Sequence, residues 1–157
     1  MEYSPNEHRP LRGYVTLMSA YAVATGAVAA VAYSRRQKLP RLSPTDLALL
    51  GVATHKLSRL IAKDSVTSPL RAPFVEYVEP AGVAELNERP RGTGLQKSVG
   101  ELITCPFCMA VWVATGLTAG WVLAPRLTRL VASAATAVAA ADFLHLKYAE
   151  ARRKAAA

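Results

Sequence analysis

The sequence predicts an all-α fold, a small polytopic transmembrane helical bundle, on three observations. Gly13 to Tyr33 is a run of 21 uncharged residues and Ile103 to Ala124 one of 22; a helix needs about 20 apolar residues to cross a bilayer core. A third apolar run, Leu130 to Leu146, carries only Asp142 as a formal charge. No alternating strand pattern stands out anywhere in the chain. The 157 residues allow one domain, and a charged share of 19% with a mean hydropathy of +0.17 argues against both disorder and a soluble globule.

The net charge of +8 has several readings, among them nucleic acid, anionic lipid and the flanking charge of membrane helices. Here the basic residues border apolar segments, as in Arg35-Arg36-Gln37-Lys38 and Arg152-Arg153-Lys154, and no basic patch interleaves with aromatics. That distribution excludes nucleic acid as the expected partner.

Residues 1–12 read as a polar N-terminal tail containing Pro5 and Pro10. The first span covers 13–33, with Ala22, Gly26 and Ala30 at the four-residue spacing that lets helix backbones approach. A cleaved signal peptide ending at Ala30-Val31-Ala32 is the competing reading, but the apolar stretch is long and Arg35-Arg36 follow it directly. The second helix opens on a cap: Ser43 at the N-cap, Pro44 at the first helical position, Asp46 three residues on. It runs to about Lys63, with Leu47, Leu50, Thr54, Leu57 and Ile61 in one stripe, widened by Leu49, Ala53 and Leu60. Ala48, Gly51, His55 and Arg59 occupy the remaining sector, beside Lys56 and Lys63. This helix either lies flat in the interface or spans with its basic end snorkelling to the headgroups.

Residues 64–97 form a connector with four prolines, three glycines and mixed charge, in which short helical pieces are expected around 71–79 and 81–88 and a turn at Pro90-Arg91-Gly92-Thr93-Gly94. The third span begins near Glu101 and carries Gly116-x-x-x-Gly120, with Trp112 and Trp121 at an interface or against neighbours. The last span repeats the small-residue spacing at Ser133, Ala137 and Ala141, and residues 148–157 are a basic C-terminal tail.

With four spans, 13 Lys and Arg fall on the side of the connector and both termini, against 6 on the other; with three spans and an interfacial second helix the division is 15 against 4. Both counts place the connector and the C terminus in the cytoplasm of a multi-pass plasma-membrane protein. In the four-span arrangement His55, Arg59, Glu101, Cys105, Cys108, Asp142 and His145 share one layer, about 6–8 Å inside the helix ends. Ionisable groups at such depth are costly unless paired or wet, and Arg59 with Asp142 or Glu101 is the expected pairing. The layer reads as a structural ion pair with snorkelling, or as a headgroup, substrate or ion site open to the cytoplasm.

Cys105-Pro106-Phe107-Cys108 is the most specific local motif. Its i, i+3 spacing puts both sulfurs on one helix face, and Pro106 suits a first turn. The tetrapeptide resembles a glutaredoxin active site, although nothing around it suggests that fold. Buried structural residues, a redox pair and a metal site all remain open. Zinc or iron would need further ligands, His55 or the cysteines of a second copy. No cofactor is otherwise expected.

Lys56-Leu57-Ser58-Arg59-Leu60-Ile61, Asp64, Arg71, Gly100-Glu101-Leu102, Cys105-x-x-Cys108 and Trp112-Val113-Ala114 together resemble a bacterial integral membrane protein family of unknown function that includes a sporulation-associated Bacillus protein. The match covers about residues 45–147; the span at 13–33 is an addition to that core, and His55 departs from the family's apolar position. The resemblance implies a membrane-embedded second helix, hence four spans, and no reaction. Three functions follow. The first is a non-enzymatic accessory or assembly protein. It would bind a protein partner, a second copy of itself or anionic lipid through Arg59, Asp64, Arg71, Arg89, Arg91, Lys97, Glu101 and Asp142. The second is a thiol–disulfide redox protein using Cys105 and Cys108, and the third a cysteine-based metal site.

Overall fold

The computed structural model describes residues 3, 9–37 and 39–156. Most of the polar tail read over 1–12, and the last residue of the basic C-terminal tail, lie outside them. Six α-helices carry the fold: α1 (Leu11–Ser34), α2 (Pro44–Ala62), α3 (Ser68–Arg71), α4 (Gly94–Thr104), α5 (Pro106–Leu123) and α6 (Pro125–Ala155). A 3-10 turn (Ser65–Thr67) precedes α3, and strands β1 (Val75–Gly82) and β2 (Glu85–Pro90) lie between α3 and α4.

Helix α2 begins as its sequence dictates. The Ser43 hydroxyl accepts the Asp46 N–H at 3.1 Å and the Asp46 carboxylate accepts the Ser43 N–H at 3.0 Å, a complete capping box with Pro44 at the first position. Its buried face is Asp46, Leu50, Ala53, Ser58 and Ala62. Leu50 and Ala53 form the core with Leu117 and Trp121 of α5 and Ala132 and Ala135 of α6. Leu47, placed in the core stripe by spacing, is 56% exposed, whereas Gly51 and His55 are exposed as their sector suggests.

The helix directions follow from side-chain ties. Arg129 near the start of α6 meets Asp46 near the start of α2; thirteen residues later Asp142 meets Lys56 at 2.8 Å. The two helices therefore run side by side in the same sense, and α2 packs on α5 as well as α6. Helix α1 runs parallel to α5, with Tyr14 bonded to Glu101 and Tyr21 both 2.7 Å from Thr115 and edge-on to Trp112. The start of α1, the end of α2, the hairpin and the last third of α6 thus gather at one end of the bundle.

Among the described residues three helices are long and apolar enough to cross a membrane, α1, α5 and α6; α2 is not among them. At 1.5 Å per residue the 31 residues of α6 extend about 46 Å, well past a hydrocarbon core. Its helix continues from Pro125 to Ala155, through most of what the sequence suggested was a separate basic tail. Outward-facing Val15, Met18 and Val23 on α1, and Leu127, Leu130, Phe143, Leu144 and Leu146 on α6, are each more than 60% exposed, a surface suited to lipid.

Two expectations are corrected. The connector holds no helix over 71–79 or 81–88; β1 and β2 pair antiparallel there, with bulges between Tyr77 and Glu79 and between Pro80 and Gly82. Prolines at 80 and 90 and the absence of an Asn-Gly or Asp-Gly turn hid the hairpin; Val83-Ala84 makes the turn, with Ala84 at φ 62°. The strands are set by partners instead. Glu76 stands opposite Arg89, and β2 also meets the chain leaving α2, through Leu86 N–H to Lys63 C=O and Ser65 N–H to Ala84 C=O, both 2.9 Å. The expected turn at Pro90–Gly94 is present, with Gly92 at φ 74°.

The apolar run from Ile103 is divided between two helices. Pro106 disfavours helical backbone at the residue before it, and Cys105 adopts an extended conformation (φ −100°, ψ 104°) between α4 and α5. Lys97 consequently sits on α4, not in a loop. The small-residue faces also shift. Ala132, Ala135 and Ala139 are the buried alanines of α6 while Ser133 and Ala137 are exposed, and nothing lies within 4 Å of a Cβ built on Gly26 or Gly116.

Candidate functional site

The end of the bundle where the hairpin sits is a folded, ion-paired head. Its centre is Arg71, the last residue of α3, 1% exposed. Its Nη1 donates to the Ile61 carbonyl at 2.8 Å and to Thr67 Oγ1 at 2.6 Å, its Nη2 to the Asp64 carbonyl at 3.1 Å, and its Nε to Glu88 of β2 at 2.5 Å. Thr67 Oγ1 in turn donates to the Leu60 carbonyl at 2.6 Å. The carbonyls that a helix C terminus leaves without intrahelical partners are here taken by one arginine and one threonine. Glu88 is 4% exposed, so the pair is desolvated on both sides.

A second arginine repeats the connection nearer the bundle. Arg59 donates through Nη2 to both carboxylate oxygens of Glu85 at 2.6 Å, and through Nε at 3.1 Å. Lys56, one turn earlier on α2, lies 2.8 Å from Asp142 and 4.0 Å from Asp64. Arg59, Asp64 and Asp142 are thus neighbours along one seam, but Arg59 pairs with Glu85 and not with Asp142 or Glu101 as its depth suggested. Glu101 belongs to another contact, accepting from Tyr14 and standing 3.6 Å from Arg9. That contact joins α4 to α1, where Gly13 and Ser98 approach so closely that a Cβ on Gly13 would stand 2.2 Å from Ser98 Oγ.

The cations proposed for phosphate or acidic partners divide in the same way. Arg71 is sealed in the head and cannot reach an external ligand. Arg89 is exposed but pairs across the hairpin with Glu76 at 2.5 Å. Arg91 is exposed beyond the end of β2, and Lys97 is half-buried on α4. Glu85, Glu88 and Thr67 are the components that sequence reasoning missed. Their signal was weak, since carboxylates in a proline-rich segment read as solvated charge until the hairpin folds them onto α2.

Cys105 and Cys108 are free thiols. Cys105 is the N-cap of α5; its sulfur accepts the Cys108 N–H at 3.2 Å, and the Cys108 sulfur lies 2.7 Å from it. Cys105 is half-buried and Cys108 exposed. His55 and His145 are both exposed. Among the described residues no three His, Cys, Asp or Glu side chains converge as a metal site.

These features define a class: a helical bundle with three membrane-length apolar helices and a folded polar head at one end. The chain belongs to the family described as Protein of unknown function (DUF1360), which matches residues 49–148 and leaves α1 outside. Among its relatives in Bacillus subtilis (strain 168), the Sporulation protein YjcA is 37% identical over 71 residues, 43% of this chain and 60% of that protein. The UPF0713 protein YngL is 27% identical over 92 residues, 57% of this chain and 67% of that protein. The chain therefore spans about three fifths of the length of YjcA. No solved structure matches it.

Proposed function

We propose that this is a bacterial plasma-membrane protein with four membrane-embedded helices, whose cytoplasmic head docks a protein partner as a non-enzymatic accessory or assembly factor. The side-by-side course of α2 and α6 supports the fourth helix. Two of its ionisable side chains are paired across that seam, Asp46 with Arg129 and Lys56 with Asp142, which lowers the cost of embedding them. The excess of Lys and Arg on the head side supports its cytoplasmic placement.

One observation carries the choice of a protein over anionic lipid. Arg59, Arg71 and Arg89 are each neutralised by a carboxylate of the head itself, while Val66, Leu70, Tyr77 and Val83 stand 60–92% exposed. A cleft of about 480 Å³ between α3 and the hairpin, lined by Pro69, Ala72, Val75, Tyr77 and Leu86 together with Ser68 and Glu88, adds concave, mainly apolar surface. Apolar side chains on a rigid scaffold suit protein recognition, and phosphate capture needs unpaired cations that these arginines do not offer. Arg91 and the end of α6 remain for lipid contact.

A photo-crosslinking residue at position 77, irradiated in native membranes, tests the reading. The expected product is a discrete protein adduct that Val66→Glu abolishes. Adducts with phospholipid alone, or none with protein, would overturn it.

A further inference from the structure

We infer that Cys105 and Cys108 are a thiol–disulfide exchange pair that passes two electrons between this protein and a protein dithiol. The inference is independent of partner docking at the head. It rests on the joint between α4 and α5. Pro106 forces Cys105 out of the helix and into the N-cap position, and one turn on Cys108 is the third residue of α5. That places the sulfurs facing each other across one helical turn, 2.7 Å apart, close to the separation of about 2.05 Å in a disulfide.

The two sulfurs are not equivalent. Cys108 is the more exposed, in the first turn of α5 at the end nearest the head; Cys105 is half-buried and already accepts the Cys108 N–H. In the oxidised protein a partner thiolate attacks the Cys108 sulfur. The Cys105–Cys108 bond breaks, and its electron pair leaves on Cys105, where the backbone N–H at the helix start receives the charge. The second partner thiolate then attacks the partner's sulfur in the mixed disulfide and releases Cys108. One disulfide is lost here and one is formed in the partner, with two electrons and two protons transferred. The reverse sequence oxidises this protein. Phe107, 88% exposed between the cysteines, gives the arriving chain an apolar contact beside the reacting sulfur.

The test uses the full-length chain in detergent, equilibrated in reduced and oxidised glutathione at graded ratios and trapped with a mass-tagging maleimide. Wild type should lose both thiols in one concerted step as the buffer becomes oxidising. Cys105→Ser, which leaves the reachable sulfur without its resolving partner, should retain mixed disulfide with glutathione about tenfold above Cys108→Ser. Two independent oxidations in wild type, equal trapping in the two variants, or thiols that stay reduced at every ratio would each overturn the inference. The wild-type titration needs no substitution, so a variant that fails to fold does not decide the outcome.

Discussion

Arg71 and Glu88 form a buried ion pair that closes the end of α2 against the hairpin, and every donor nitrogen of the guanidinium is engaged within the head. The pair turns what looks in sequence like a charged linker into a rigid extension of the bundle. Without it the Ile61 carbonyl would lose its side-chain partner, the Asp64 carbonyl would keep only Thr67, and β2 would lose its tie to α3.

Removing one member should therefore be much worse than removing both. Arg71→Ala or Glu88→Gln leaves a desolvated group uncompensated, at a cost of about 3–5 kcal/mol. Arg71→Met with Glu88→Leu should cost less than either single change, and Arg71→Lys should not rescue, because one ammonium cannot reproduce the planar fork. Thermal unfolding of the detergent-solubilised protein measures all four.

The glycines offer a contrast within one protein. A Cβ on Gly100 would meet the Phe74 carbonyl oxygen at 2.6 Å and Pro90 Cβ at 3.0 Å, where α4 presses on the base of the hairpin. Gly100→Ala should destabilise by about 1–3 kcal/mol, as overpacking does. Gly26→Ala, with nothing within 4 Å, should leave the isolated chain as stable or slightly more so, since alanine is the better helix former. Melting temperatures of the two variants should move in different directions; equal losses would contradict the packing.

What the sequence made legible divides along physical lines. The apolar runs of α1 and α6, the Ser43 capping box and the fitness of Pro106 for a first turn are local signals, decided by residues within a few positions of one another, and they stand in the structure, whereas the third span expected from near Glu101 is broken at Cys105. The hairpin is not local. Its strands carry Pro80 and Pro90, its turn lacks the usual residues, and Lys63 and Ser65, on the chain leaving α2, bond to it as a third backbone segment. Depth along a helix brought Arg59, Asp64 and Asp142 to the same seam, but it could not name Glu85 as the partner of Arg59, because that carboxylate arrives on a strand. Small-residue spacing marked α6 correctly while choosing the wrong face, since the buried alanines, Ala132, Ala135 and Ala139, recur at three and then four residues and not at the strict four of Ser133, Ala137 and Ala141.

The seam between α2 and α6 should respond to charge order. Lys56→Asp opposes two carboxylates, Asp142 and Asp64, and should lower both yield and melting temperature. Adding Asp142→Lys restores an opposite pair across the same contact. The double variant should recover most of the loss, and a double-mutant cycle should show coupling on the order of 1 kcal/mol, the upper end for partly exposed pairs. Strict additivity would mean that the two helices do not adjoin there in the membrane.

Four embedded helices make a sidedness prediction that three do not. In a background carrying Cys105→Ser and Cys108→Ser, single cysteines at Tyr3, Leu39, Val83, Arg126 and Ala151 can be labelled with an impermeant maleimide, before and after permeabilising cells. With α1, α2, α5 and α6 all crossing, Tyr3, Val83 and Ala151 react only after permeabilisation, and Leu39 and Arg126 react from outside. If α2 lay in the interface, the sign at Tyr3 and Leu39 would invert while Val83, Arg126 and Ala151 stayed the same. The pair Tyr3 and Leu39 thus decides between the arrangements. The first result is the one the four-helix proposal requires, and the course of α2 along α6 from Asp46 to Lys56, a rise of about 15 Å, is the observation behind that proposal.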